Sequence, residues 1–201
     1  MLKLLSAGPS PFVRKVNVTL HETGQSDVVE QVSVTANPLD PDPTLTAANP
    51  VGKIPALVRE DAPALYDSPV ICPFLDARAQ AGLYPDPRIW ETLTLEATAD
   101  GITEAAVLMV YEARFRPEEK RYDGWLDGQW AKIERSVSAV NARWMSHLTG
   151  PLTMGQIAMG CALAYLDFRL PDRPWRKGND ALDDWFAVFA ERPSMQATRP
   201  G

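Results

Sequence analysis

Cysteine and histidine are scarce in this chain: two of each in 201 residues, at Cys72, Cys161, His21 and His147. Neither cysteine belongs to a C-x-x-C pair and both lie in apolar, helix-like stretches, so they read as reduced core thiols rather than a disulfide framework. The histidines are far apart and lack ligand spacing, which argues against a metal site. Neither stands near a serine motif, which argues against a Ser-His-Asp nucleophile. Basic charge is not in excess either. Twenty Lys and Arg against 26 Asp and Glu leave a net charge of −6, which weighs against nucleic acid or an anionic membrane surface as partner. No apolar run is long enough to span a membrane, and the first twenty residues lack a charged start followed by an unbroken apolar segment. A cytoplasmic location is the default expectation. With 45% hydrophobic residues, the chain can bury a substantial core as one large domain or two small ones.

What is present begins with Ser10-Pro11-Phe12-Val13-Arg14, a helix start that runs to Leu20 and closes at Gly24. Ser10 suits the N-cap, Pro11 the first helical position, and Gly24 the left-handed residue after the helix. Leu2, Leu4 and Leu5 ahead of it form a short strand, with residues 6–9 as the loop. A hydroxyl then stands at the positive end of a helix dipole, where anions are stabilised. Two readings stay open: Ser10 as a plain cap, or as part of an anion site.

Residues 28–34 predict a second strand, with Val28, Val32 and Val34 in alternation and Val29 breaking it. A strand–helix–strand unit makes a parallel pair with a right-handed crossover. Four prolines, at 38, 41, 43 and 50, then make a loop with room for one helical turn near 44–48. Asn49-Pro50-Val51-Gly52-Lys53-Ile54-Pro55 leads into a strand at 56–58, a turn at 59–62 and a hairpin partner at 64–66. Pro55 cannot donate to a ladder, so it belongs at an edge or in a cis turn. Either placement leaves Ile54 with a free N–H and C=O for an extended peptide, although a simple turn proline explains the residue as well. Asp67-Ser68-Pro69 repeats the Ser-Pro helix start, with Ser68 as the expected cap and the helix running toward Gly82. Ser68 there suits a carboxylate and Asp67 an ammonium group, or Ser68 only caps.

At residues 81–87 the composition breaks, and beyond this boundary the pattern is helical. A long helix is predicted through Phe115, with Asp100-Gly101 inside it marking a kink or a close backbone approach. Leu126, Trp130, Ile133, Val137, Val140 and Trp144 define the next helix. Thr153 and Gln156 form a capping box before a helix, residues 157–166, that is apolar on every side. A last helix opens at Asp180, turns Trp185, Phe186 and Phe189 inward, and stops at Arg192-Pro193.

Together these segments resemble the cytosolic glutathione transferases over nearly the whole chain. The most specific piece is N-P-V-G-K-I-P-A-L at 49–57, followed by Asp67-Ser68. Ser-Pro-Phe at 10–12 is similar to the serine-type and omega-like members, in which this position is Ser or Cys. The capping box resembles that of the family's second domain, with Gln156 where the family usually has Asp; that departure bears on helix folding and not on a ligand. Arg192-Pro193-Ser194 with Ala197-Thr198 resembles the family's ending.

The resemblance implies a thioredoxin-like α/β domain over 1–80, a linker over 81–87, and an all-α helical domain over 88–201 that carries an electrophile pocket. It implies glutathione as co-substrate, no metal, a homodimer and a role in detoxification. Carried over by residue, Ile54 before a cis Pro55 would hold the cysteinyl backbone, Asp67 and Ser68 the γ-glutamyl end, and Lys53 the glycyl carboxylate. Asp100 resembles an acidic residue that reaches the glutathione of the other subunit; an exposed helix carboxylate is the alternative. Phe12, Tyr111 and Phe115 are the candidates for the electrophile pocket, although such aromatics are more often core.

The chemistry fits these residue types. A free thiol titrates at about 8.5, so little of it is thiolate at neutral pH. Helix N-termini lower cysteine values to about 3.5–7.5, and one charge-assisted hydrogen bond contributes about 1.5–3 kcal/mol. Ser10 would therefore donate to a thiolate rather than act as a nucleophile. Serine rather than cysteine there closes the mixed-disulfide route. The expectation is a transferase acting on a small apolar electrophile. The alternatives are a glutathione-dependent peroxidase, or a non-catalytic module of the same fold for glutathione binding or protein assembly.

Overall fold

The apolar run at the start becomes β1 (Leu2–Ser6), with Leu4 and Leu5 buried, in a computed structural model that describes residues 2–200. α1 (Pro11–Glu22) crosses to β2 (Val29–Ser33), which pairs parallel to β1 from Leu2 opposite Val29 to Ser6 opposite Ser33. The alternation read from Val28 misplaced this strand's start. Val28 lies in a 3-10 turn over Ser26–Val28 and is 48% exposed, whereas Val29 is buried. α2 (Pro43–Ala48) is the single helical stretch of the proline loop. Asp42 caps it through Oδ1, which accepts from the N–H groups of Thr44 (2.8 Å) and Leu45 (3.4 Å), while Oδ2 accepts from Thr35. The Thr35 amide first, and then the Thr44 amide, hold the Asp42 carboxyl below its ordinary value.

β3 (Ala56–Arg59) runs antiparallel to β1, and β4 (Ala62–Leu65) antiparallel to β3, which gives the order β2-β1-β3-β4. α3 (Ser68–Ala79) packs beside α1 and ends with Gln80 in the left-handed region, two residues short of the expected glycine. A βαβ half followed by a ββα half is the thioredoxin-like arrangement. Leu5, Val34, Leu45 and Ala56 form one apolar cluster of this half.

The second half is helical: α4 (Ile89–Phe115), α5 (Asp123–Arg143), α6 (Met145–Leu148), α7 (Met154–Arg169) and α8 (Asp180–Phe189). Trp144, expected inside the α5 pattern, instead ends α5 and starts α6. α7 is buried along most of its length and packs chiefly on α4. The capping box is present: Thr153 N–H donates to Gln156 Oε1 at 2.5 Å. Gln156 Nε2 also donates to the carbonyls of Leu148 (2.8 Å) and Gly150 (3.1 Å), bonds that a carboxylate could not make. The close approach expected at Gly101 lies elsewhere. A Cβ on Gly101 would meet nothing within 4 Å, whereas one on Gly155 would fall 2.9–3.1 Å from the Leu95 side chain.

Met1–Pro85 together with Pro193–Gly201 form one compact unit, and Asp86–Arg192 the other. The sequence reading placed everything after residue 88 in the helical domain. The last segment departs from it because α9 (Pro193–Ala197), a helix the sequence reading did not foresee, packs on α1. Arg14 Nη2 donates to the Met195 carbonyl at 3.0 Å, and Ser194 Oγ donates to Glu22 Oε1 at 2.5 Å.

Candidate functional site

Three connections of the first unit meet at one end of its sheet, and strand direction alone brings them there. β1 exits at Ser6 and leads through residues 7–9 to Ser10. β3 is antiparallel to β1 with Leu5 opposite Ala56, so its entrance, and Pro55 just before it, lie at that same end. β4 reverses again, and its last residue, Leu65, pairs with Leu57. Tyr66, Asp67 and Ser68 therefore emerge there too. With neighbouring strands about 4.8 Å apart, the tips of α1 and α3 and the lead into β3 share one small region.

Ser10 has the extended backbone of a cap (φ −77°, ψ 123°), and its Oγ accepts from the Val13 N–H at 3.3 Å. Its carbonyl accepts from the Arg14 N–H at 3.0 Å. Because Oγ acts as acceptor toward Val13, its own proton remains for a further partner. Capping and anion binding are thus compatible, which the sequence alone left open. Phe12 is half-buried one turn position beyond the cap, after Pro11.

The loop before β3 is organised by Asn49, a buried residue to which the sequence reading gave no role. Asn49 Nδ2 donates to the Lys53 carbonyl at 2.8 Å, its Oδ1 accepts from Val51 N–H at 3.0 Å, and its carbonyl accepts from Gly52 N–H at 2.8 Å. Gly52 sits at φ +68°, where glycine carries no side-chain penalty. The signal was a polar residue opening a Pro-Val-Gly turn. Lys53 is exposed, Ile54 half-buried and Pro55 buried, and the Ile54-Pro55 bond is cis. Ile54 lies outside the β1–β3 pairing.

At the tip of α3 the expected cap is one residue off. Asp67, in extended conformation after a cis Tyr66-Asp67 bond, is the cap residue, and its carbonyl accepts from the N–H groups of Val70 and Ile71, both at 3.0 Å. Its carboxylate is exposed and makes no capping bond. Ser68 is already helical. It is fully buried, and its Oγ has no hydrogen-bond partner. Leaving a buried hydroxyl unsatisfied costs about 1–3 kcal/mol. Pro69 has no N–H and those of Val70 and Ile71 are engaged, so the hydroxyl and amide of Ser68 are what this tip offers a carboxylate.

Asp100, Tyr111 and Phe115 lie in the second unit, all on α4 and all half-buried. The Tyr111 and Phe115 rings meet edge-on at 5.0 Å. On α7, burial pushes the Tyr165 hydroxyl up to about 12, and Arg169 offsets part of that rise. Among the described residues, no cluster of three His, Cys, Asp or Glu side chains is placed to hold a metal, and no helix is long and apolar enough to cross a membrane.

Two family models match the chain: the N-terminal domain of glutathione S-transferase over residues 9–78, and its C-terminal domain over residues 123–187. The uncharacterized GST-like protein YibF of Escherichia coli (strain K12) is 32% identical over 99% of this chain and 98% of its own length. The chain belongs to the glutathione S-transferase family. Among solved glutathione transferases, a member from Pseudomonas fluorescens Pf-5 with bound glutathione is 43% identical, covers both chains fully and superposes with a TM-score of 0.97. A structure from the same organism with bound S-(propanoic acid)-glutathione matches at 42% identity, also over both full chains, with a TM-score of 0.92. The N-terminal glutathione transferase model spans the whole of the region built from Ser10, Pro55 and Ser68.

Proposed function

We propose that this protein is a serine-type, omega-like glutathione transferase in which Ser10 donates a hydrogen bond to the glutathione thiolate for attack on a small apolar electrophile. The observation that carries this reading is the pair of serine hydroxyls at one sheet end, one with its proton uncommitted and one buried without a partner. The glutathione-bound relatives support the ligand. Ile54 N–H and C=O would pair with the cysteinyl backbone beside cis Pro55. Ser68 would take the γ-glutamyl carboxylate, Asp67 its ammonium, and Lys53 the glycyl carboxylate. Phe12, Tyr111 and Phe115 would line the electrophile pocket. A glutathione-binding domain over 1–80 that the closing segment rejoins, a helical domain from 88 to 192, a homodimer in which Asp100 reaches the partner's glutathione, and a cytoplasmic detoxification role complete the proposal.

In the reaction the thiol proton is lost to solvent, and the ionised sulfur forms a new bond to carbon. The electron pair displaced from that carbon leaves with a halide, or shifts along a conjugated system and is then protonated. Ser10 keeps its own proton throughout and lowers the energy of the sulfur anion. The carboxyethyl conjugate held by the Pseudomonas relative makes α,β-unsaturated acids worth assaying beside chloronitrobenzenes.

The experiment is the pH–rate profile of conjugation in Ser10→Ala. A fall in turnover with a rise in the apparent thiol pKa is the expected result; an unchanged profile removes Ser10 from the mechanism. Retention on immobilised glutathione without turnover on either substrate class favours a non-catalytic module, and turnover of a hydroperoxide alone favours a peroxidase.

A further inference from the structure

We infer that Arg14, together with the C-terminal segment it grips, is a positioning element for Ser10, an inference that rests on the reading of Ser10 above. Arg14 is buried one helical turn after Ser10, and its backbone N–H donates to the Ser10 carbonyl at 3.0 Å, closing the first turn of α1. Its guanidinium is committed to the end of the chain: Nη2 donates to the Met195 carbonyl at 3.0 Å, and Nε points at Thr198 Oγ1 at 3.5 Å. Thr198 is held in turn by donating to the Ser194 carbonyl at 2.8 Å. The far end of α1 has its own tie, from Ser194 Oγ to Glu22 Oε1. The closing segment therefore grips α1 near its tip and near its foot, about 181 residues away in sequence. A planar guanidinium with donors in a fixed fork holds orientation as well as distance. The tip is where orientation matters, because the hydroxyl and helix dipole act on the sulfur over a short range.

Two variants separate positioning from mere stability. Arg14→Met keeps the apolar stem and removes the donors at the tip; Ser194→Ala removes the tie at the foot. Both are expected to lower the melting temperature. Only Arg14→Met is expected to raise the apparent thiol pKa of bound glutathione, by about one unit, with about tenfold less thiolate at neutral pH. The readouts are the ultraviolet absorbance of the thiolate in the binary complex and the pH profile of kcat/KM. An unshifted profile in Arg14→Met, or equal shifts in both variants, overturns the inference. If Arg14→Met does not fold, Thr198→Val decides: a shift in the same direction supports it and none overturns it. Ser10→Ala is titrated alongside. Should Ser10→Ala leave the profile unmoved, the mechanism itself fails; should only Ser10→Ala move it, the role of Arg14 alone fails.

Discussion

The tips of α1 and α3 are written in almost the same letters and are built differently. Ser10-Pro11 and Ser68-Pro69 each place a hydroxyl before a helix-starting proline. At the first, the serine is the cap and its oxygen meets a backbone amide. At the second, Asp67 occupies the cap position, Ser68 is pushed into the helix, and its oxygen meets nothing. One serine contributes to stability; the other is a buried hydroxyl without a partner, which costs about 1–3 kcal/mol. A motif specifies that a helix starts, and the chain's path into it specifies which residue caps.

The difference yields opposite signs in mutants. Ser10→Ala should show the largest effect, a loss of about 10- to 100-fold in conjugation turnover, in line with one charge-assisted hydrogen bond of about 1.5–3 kcal/mol. It should also destabilise the free protein by about 0.5–2 kcal/mol as a lost cap, measured by denaturant unfolding. Ser68→Ala should weaken glutathione binding about tenfold by calorimetry, yet leave the free protein equally stable or more so. A destabilised Ser68→Ala protein would erase the contrast between the two tips. Smallest is Asp67→Asn: with no capping bond to lose, its unfolding free energy should stay within about 0.5 kcal/mol of the parent. Its deficit should appear only toward ligands that keep the γ-glutamyl ammonium, so equal loss for a ligand lacking that group would take Asp67 out of the site. Ser10→Cys sharpens the same comparison from the chemical side, since a thiol at the capped tip should gain disulfide exchange with glutathione. No gain would show that side chain turned away from the sulfur.

Much of this was legible along the chain because the determinants are local. Ser10, Pro11 and Gly24 announce α1, and Thr153 with Gln156 announces α7, through bonds that span a turn or less. What went astray had two sources: a partner distant in sequence, as at Gly155, and the side-chain conformation of a loop residue, as at Asn49. Gly101 drew attention as a glycine in a helix, but the glycine that a neighbour requires is Gly155, because Leu95 presses on it from another helix. Asn49 looked like an ordinary loop residue until its side chain proved to organise the turn that delivers Lys53 and Ile54.

The sequence by itself determined the order of the strands and main helices, the boundary near residue 85 and the places where the two tip helices begin, since periodicity, caps and prolines act over a few residues. Tertiary structure decided the rest. Antiparallel register brought Pro55 and Ser68 to the end of the sheet that Ser10 occupies, and the path after β4 left one hydroxyl buried without a partner. It also folded the final segment back onto α1, where a guanidinium and a backbone carbonyl meet. The physical reason is one of range: turn and cap energies are settled by neighbours in sequence, whereas packing and long-range hydrogen bonds are settled only when distant segments share the same space.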